Sequence, residues 1–246
     1  MSGHSKWANI KNKKAKGDAQ RSNTFTKIGR EIAIAVKQGG SNPDSNSRLR
    51  DVIAKAKAAN MPNDNIKRSI QKASGELGNV NYEEVTYEGY GAGGVAVIVE
   101  CLTDNKTRTV GDVRHYFDKC GGQLGNNGCV SFMFNKQGVI VIDSQGLEED
   151  DLMMMALEAG ADDVITEEGV YEVITTPAGY SQTREALENA GLNIISSGVE
   201  LIPQNTVTPD DETAKKVIRL IDMLEDNDDV QNVYHNANLP EEEEEE

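Results

Sequence analysis

The densest set of chemically capable side chains in this sequence is cationic. Lys6, Lys11, Lys13, Lys14, Lys16 and Arg21 fall within the first 22 residues, among Asn, Ser, Gly and Gln and around the chain's single tryptophan, Trp7. Ammonium and guanidinium groups so placed suit phosphates. Each contact releases condensed counterions, which makes binding steeply salt-dependent and nearly indifferent to base sequence. Trp7, flanked by His4 and Lys6, has two possible uses: stacking on a base, or anchoring the segment to the rest of the protein. With so little to bury, this segment is expected to order only on a partner.

The residue types that serve catalysis do not converge in the same way. His4, His115 and His235 lie in no nucleophile, metal-ligand or glycine-loop pattern, so no enzyme activity is expected. Cys101, Cys120 and Cys129 are odd in number and widely spaced, a pattern of reduced thiols and not of a disulfide framework or zinc knuckle. The Gly-rich stretch from Gly89 to Gly94 lacks the Lys-Ser/Thr ending of a phosphate loop and leads into a strand, which suits a hairpin turn. Asp226, Asp228 and Asp229 lack the glycine and closing glutamate of a calcium loop and read as solvated charge. No cofactor or small-molecule substrate is signalled.

Charge is partitioned along the chain. The formal net charge is -16, yet residues 1–75 hold 16 Lys and Arg against 5 Asp and Glu, a net of +11, which leaves -27 for the rest. A basic end on an acidic body implies a polyanionic partner met by one end only. No apolar run approaches the roughly 18 residues of a membrane span, and no apolar stretch follows the basic start, so a cytoplasmic protein without membrane contact is expected.

The elements that must position these cations follow from periodicity. Phe25, Ile28, Ile32 and Val36 recur at helical spacing up to Gly39-Gly40, with Lys27 and Arg30 off the stripe. A second helix, 47–60, buries Leu49, Val52 and Ala56 and presents Lys55. A third, after Pro62, turns Ile66 and Ile70 inward and Lys67 and Arg68 outward. A basic three-helix bundle over 23–75 is therefore expected, joined by a linker to an α/β body. Arg108 and Arg114 start and occupy the next helix, where they either extend the nucleic-acid surface or pair with acidic neighbours. Met153 to Met155 sit in a predicted helix and read as core.

From residue 136 the order strand, helix, strand, strand, helix, strand completes a ferredoxin-like unit over 136–197. The preceding unit stops at strand, helix, strand; its expected completion is a strand at 199–202, a helix at 212–225 and a strand at 230–234. The fold class predicted is α+β: an N-terminal three-helix bundle followed by two ferredoxin-like α/β domains, the second inserted into the first. The domains would be a basic arm (1–22), the bundle (23–75), a split domain (82–135 plus 198–238), the insert (136–197) and an acidic, disordered tail (239–246).

GHSKWANIK at the start, YEGYG at 87–91, the Arg108-Thr109 helix entry, CGGQLGNNG at 120–128 and LIDMLEDNDDVQNVYHN near the end together resemble the YebC/PmpR family. The five motifs, in one order, span nearly the whole chain. The resemblance implies a helical domain plus two α/β domains, a cytoplasmic location and DNA-binding transcriptional regulation; related members are described as translation factors acting on ribosomes stalled in proline-rich stretches. No helix-turn-helix with polar base-reading side chains is evident. The expected partner is nucleic acid, either promoter DNA or ribosomal RNA, with the ribosome itself as a candidate.

Overall fold

The computed structural model describes residues 18–75 and 81–239. The segment holding Lys6, Trp7, Lys11, Lys13, Lys14 and Lys16, and the glutamate run at the other end, lie outside the described residues.

Three helices come first: α1 (Asp18–Gly39), α2 (Ser47–Ala58) and α3 (Asn63–Ser74). Ile28, Ile32, Ala35 and Val36 of α1 close on Leu49, Val52 and Ala56 of α2 and Ile66 of α3 in one core. The buried Asn46 sets the turn between the first two. Its side chain accepts from Leu49 N as the cap of α2 while its amide donates to Ala35 O and Gly40 O, both at 2.8 Å. Helix α1 begins five residues earlier than periodicity alone suggests, inside the predicted arm. The sequence between Asp18 and Asn23 contains no Gly or Pro to break a helix.

Strands β1 (Glu83–Tyr90) and β2 (Ala96–Thr103) form the antiparallel hairpin expected around the glycines, closed by a short 3-10 turn at Ala92–Gly94. Gly93 has φ +68° there, and a Cβ on it would lie 2.6 Å from Thr213 Cγ2, so both conformation and space require glycine. Helix α4 (Lys106–Lys119) and the two-residue β3 (Gln123–Leu124) follow, and α7 (Asp211–Glu225) and β8 (Val230–His235) finish the domain. The sheet order is β3-β1-β2-β8. Val97, Val99 and Cys101 pack one face against Phe117 of α4 and Val217, Leu220 and Leu224 of α7.

Between β3 and α7 stands the second sheet, built from β4 (Phe134–Asp143), α5 (Glu149–Glu158), β5 (Asp163–Glu167), β6 (Val170–Thr175), α6 (Tyr180–Asn189) and β7 (Ile194–Pro203). Its order, β5-β6-β4-β7 with every pair antiparallel, is ferredoxin-like. Leu152, Ala156 and Leu187 seal its helical face over Ile140, Ile142 and Val173.

Two expectations are corrected here. The strand at 199–202 does not join the split domain: β7 is one ten-residue strand paired along β4 from Ile194 to Pro203, so the expected 197/198 boundary falls inside it. The position it was to fill in the first sheet is held by β1, which reaches it from the N-terminal side through the tight hairpin. Likewise, the expected strand at 131–134 is a 3-10 turn, Ser131–Met133, leading directly into β4.

Candidate nucleic-acid interface and its buried ionic supports

The predicted site residues divide into those that hold a partner within the protein and those with no ion pair among the described residues. Arg30, on α1, belongs to the first group. Its Nη1 lies 2.6 Å from Asp229 Oδ1 and 3.0 Å from Leu102 O, and its guanidinium sits 5.3 Å over the Tyr82 ring. Arg108 reaches the same carboxylate from α4, with Nη2 2.7 Å from Asp229 Oδ2, and holds Asp104 at 2.8 Å. Thr109 Oγ1 donates to Asp229 Oδ2 at 2.8 Å. Asp229 is 3% exposed. Burial by itself would raise its pKa, but hydrogen bonds from Arg108, Arg30 and Thr109 outweigh that and hold it below the usual aspartate range. The reading of Asp229 as solvated charge is therefore corrected, and Arg108, with its side chain 46% exposed, pairs with two acidic neighbours. Asp104, Asp112, Asp226 and Asp228 share the surrounding depression, so a phosphate approaching these arginines would meet like charge.

Lys27 is also committed, its Nζ donating to Glu225 O at 2.5 Å at the end of α7. Lys55 pairs with Glu31 at 2.6 Å across the bundle. Arg21 lies on α1 by its backbone. Arg114 is exposed on α4 with no ion pair among the described residues, on a different domain from the bundle cations.

What remains is a coherent stripe. Lys67, Arg68 and Lys72 occupy neighbouring positions on the solvent face of α3, and Lys57 lies exposed in the last turn of α2. Among the described residues none of these four makes an ion pair, and α3 carries one acid, Asp64, in its first turn. The stripe exists because Ile66, Ile70 and Ala73 face the bundle core, which turns the intervening cations outward.

Two further ionic contacts are not evident from the sequence. Glu88, in the YEGYG stretch, is 6% exposed and accepts backbone N–H groups of Gly128, Val130 and Ser131 at 2.8, 3.0 and 2.9 Å. Burial pushes its pKa up, but those three amides more than reverse the effect. Thus one family-like motif clasps the loop formed by another. Arg184 on α6, 4% exposed, faces Asp51 of α2 across 3.6 Å, and Asp51 also accepts from Ser181 at 2.6 Å. No linear signal marks the Asp51–Arg184 contact, since Arg184 stands among Gln182, Thr183 and Glu185 and Asp51 follows Arg50.

A helical bundle fastened through a buried aspartate to a split α/β domain, with a second ferredoxin-like sheet set into it, defines a three-domain α+β architecture. The chain belongs to the TACO1/YebC family: residues 5–76 match the family's N-terminal domain and 82–237 its second and third domains. It is similar to a probable transcriptional regulatory protein of Acetivibrio thermocellus, 62% identical over 96% of this chain and 98% of that one. One from Clostridium botulinum is 59% identical over 98% of each. The crystal structure of a conserved hypothetical protein from Aquifex aeolicus, 46% identical, superposes with a TM-score of 0.83 over 94% of this chain and 96% of that one. No helix among the described residues is long and apolar enough to cross a membrane.

Proposed function

We propose that this chain is a non-enzymatic, nucleic-acid-binding regulator of gene expression, and most directly a DNA-binding transcriptional regulator. The observation that carries this reading is the unpaired stripe of Lys57, Lys67, Arg68 and Lys72 on a protein of net charge -16, in which Arg30, Lys55 and Arg108 are held by its own carboxylates. Cations kept unneutralised in so acidic a molecule suit an external polyanion. The six cations of residues 6–21 would extend the contact. The relatives' names, probable transcriptional regulatory proteins, support regulation and make duplex DNA the first partner to test.

A second reading rests on the composition of the stripe. Lysine and arginine position a protein on phosphates without specifying bases, and such a surface, on a chain whose sequence also offers Trp7 for stacking, suits the irregular backbone of ribosomal RNA. In that case the chain is a ribosome-associated translation factor that relieves stalling at proline-rich stretches. Sedimentation of cell lysate at several salt concentrations, with DNase or RNase, separates the two. A heavy fraction released only by DNase is expected for transcription. Co-migration with ribosomes that survives DNase and weakens with salt would replace it with the translation reading, and a protein at the top of every gradient would sink both.

A further inference from the structure

Helical periodicity alone assigns Met153 to Met155 to a helix interior. The structure places Leu152 and Ala156 of α5 in the core and turns Met154 and Leu157 outward, 64% and 55% exposed, with Met153 beside them at 36%. Positions 153, 154 and 157 form one short apolar ridge along the solvent side of the helix. Large apolar side chains grouped on one exposed helix face mark an interaction surface more often than isolated ones do, and methionine's unbranched, polarizable side chain adapts to a partner's shape.

The charge around the ridge identifies the partner's chemistry. Between Lys136 and Arg184 the sequence contains no Lys or Arg and eleven Asp and Glu. Glu149, Asp150 and Asp151 form the first turn of α5, and Glu158 closes its last. A nucleic acid is repelled from this end of the molecule. A second copy docking through the same ridge would oppose one carboxylate cluster to another. We propose that the α5 face is a docking surface for a basic amphipathic helix of another protein, whose apolar stripe covers Met153, Met154 and Leu157 while its Lys or Arg residues meet Asp150, Asp151 and Glu158. The chain then joins two kinds of partner: polyanion at the bundle, basic protein at the inserted domain. The inference does not depend on the nucleic-acid reading.

The test uses the full chain with its seven methionines carrying ¹³C-labelled methyl groups. The probe is a synthetic amphipathic helix of Leu and Lys, about 18 residues so that it can form a stable helix, with a scrambled peptide of the same composition as control. The expected result is saturable movement of the Met153 and Met154 methyl signals by the amphipathic peptide alone, weakening as salt is added. Combining Met154→Glu with Leu157→Glu should weaken binding about tenfold or more, the range for removing an interface anchor. Combining Asp150→Asn with Asp151→Asn tests the charge separately and should also weaken it. The proposal is overturned if the methyl signals stay still, if the scrambled peptide moves them equally, or if the glutamate variant binds like the parent. It is also overturned if raising protein concentration without peptide produces the same shifts, since a second copy would then be the occupant.

Discussion

Asp229 shows how one residue can serve three elements. Leu102 N donates to its carbonyl at 2.8 Å, while its carboxylate holds Arg30 of α1 and Arg108 of α4. Replacing it with alanine leaves Arg30 without its carboxylate, and such an uncompensated buried charge costs about 3–5 kcal/mol. Asp229→Ala should therefore lower the denaturant midpoint strongly, and a midpoint within error of the parent would refute the assignment. Asp229 and Glu88 both ionise more readily in the fold than in the unfolded chain. The stability they contribute is thus complete above about pH 4, the unfolded carboxylate range, and is lost as pH falls through their folded values. In Asp229→Asn that acid-limb loss should be smaller, as read from denaturation midpoints against pH. The thiols offer a separate check. Burial pushes Cys101 up to about 12 and also raises Cys120 and Cys129, of which only Cys129 is partly exposed. A thiol reagent at pH 8 should modify Cys129 first and reach the other two only after unfolding.

At the scale of elements, α3 carries three exposed cations, Lys67, Arg68 and Lys72, with no ion pair among the described residues. Removing Lys67, Arg68 and Lys72 together by alanine substitution should leave stability within about 1 kcal/mol, because exposed positions away from caps and cores contribute little. It should flatten the dependence of log affinity on log salt by up to about 2.7 for duplex DNA, near 0.9 for each phosphate no longer neutralised. Fluorescence anisotropy across a salt series measures this. Arg30→Ala is the counterpart: it should cost stability while barely changing the slope. If Arg30 changes the slope and the α3 substitutions do not, the interface lies elsewhere.

For the whole molecule, the bundle touches both α/β domains through charged pairs: Arg30 with Asp229 on one side, Asp51 with Arg184 and Ser181 on the other. A cleft of about 1040 Å³ lies among α2, α6, α7, β7 and β8, with Asp51 and Arg184 on its wall. Asp51→Ala leaves Arg184, 4% exposed, with Glu188 as its remaining partner. The radius of gyration by small-angle scattering should increase as the inserted domain swings from the bundle; an unchanged profile would show that packing alone fixes the arrangement.

Much of this protein was legible in its residues. The three-helix bundle was readable because Ile28, Ile32, Leu49, Val52 and Ile66 recur at helical spacing beside Pro and Gly stops, and local pattern is what a helix needs. The inserted ferredoxin-like sheet followed from alternating strand and helix signals, and the separation of a basic end from an acidic body is a property of composition. Tertiary structure decided the rest. The place of β1 in the first sheet, the continuity of β7 beyond residue 197 and the exposure of Met153 and Met154 depend on which faces meet, which local periodicity does not encode. The fate of the arginines is the clearest case. Arg30, Arg108, Lys67 and Arg68 are all basic positions of predicted helices, but folding brings Asp229 to the first two across 199 and 121 positions and leaves the other two without an ion pair among the described residues. Whether a cation serves the fold or a partner depends on which carboxylate folding brings within hydrogen-bond reach, and that distance exists only in three dimensions.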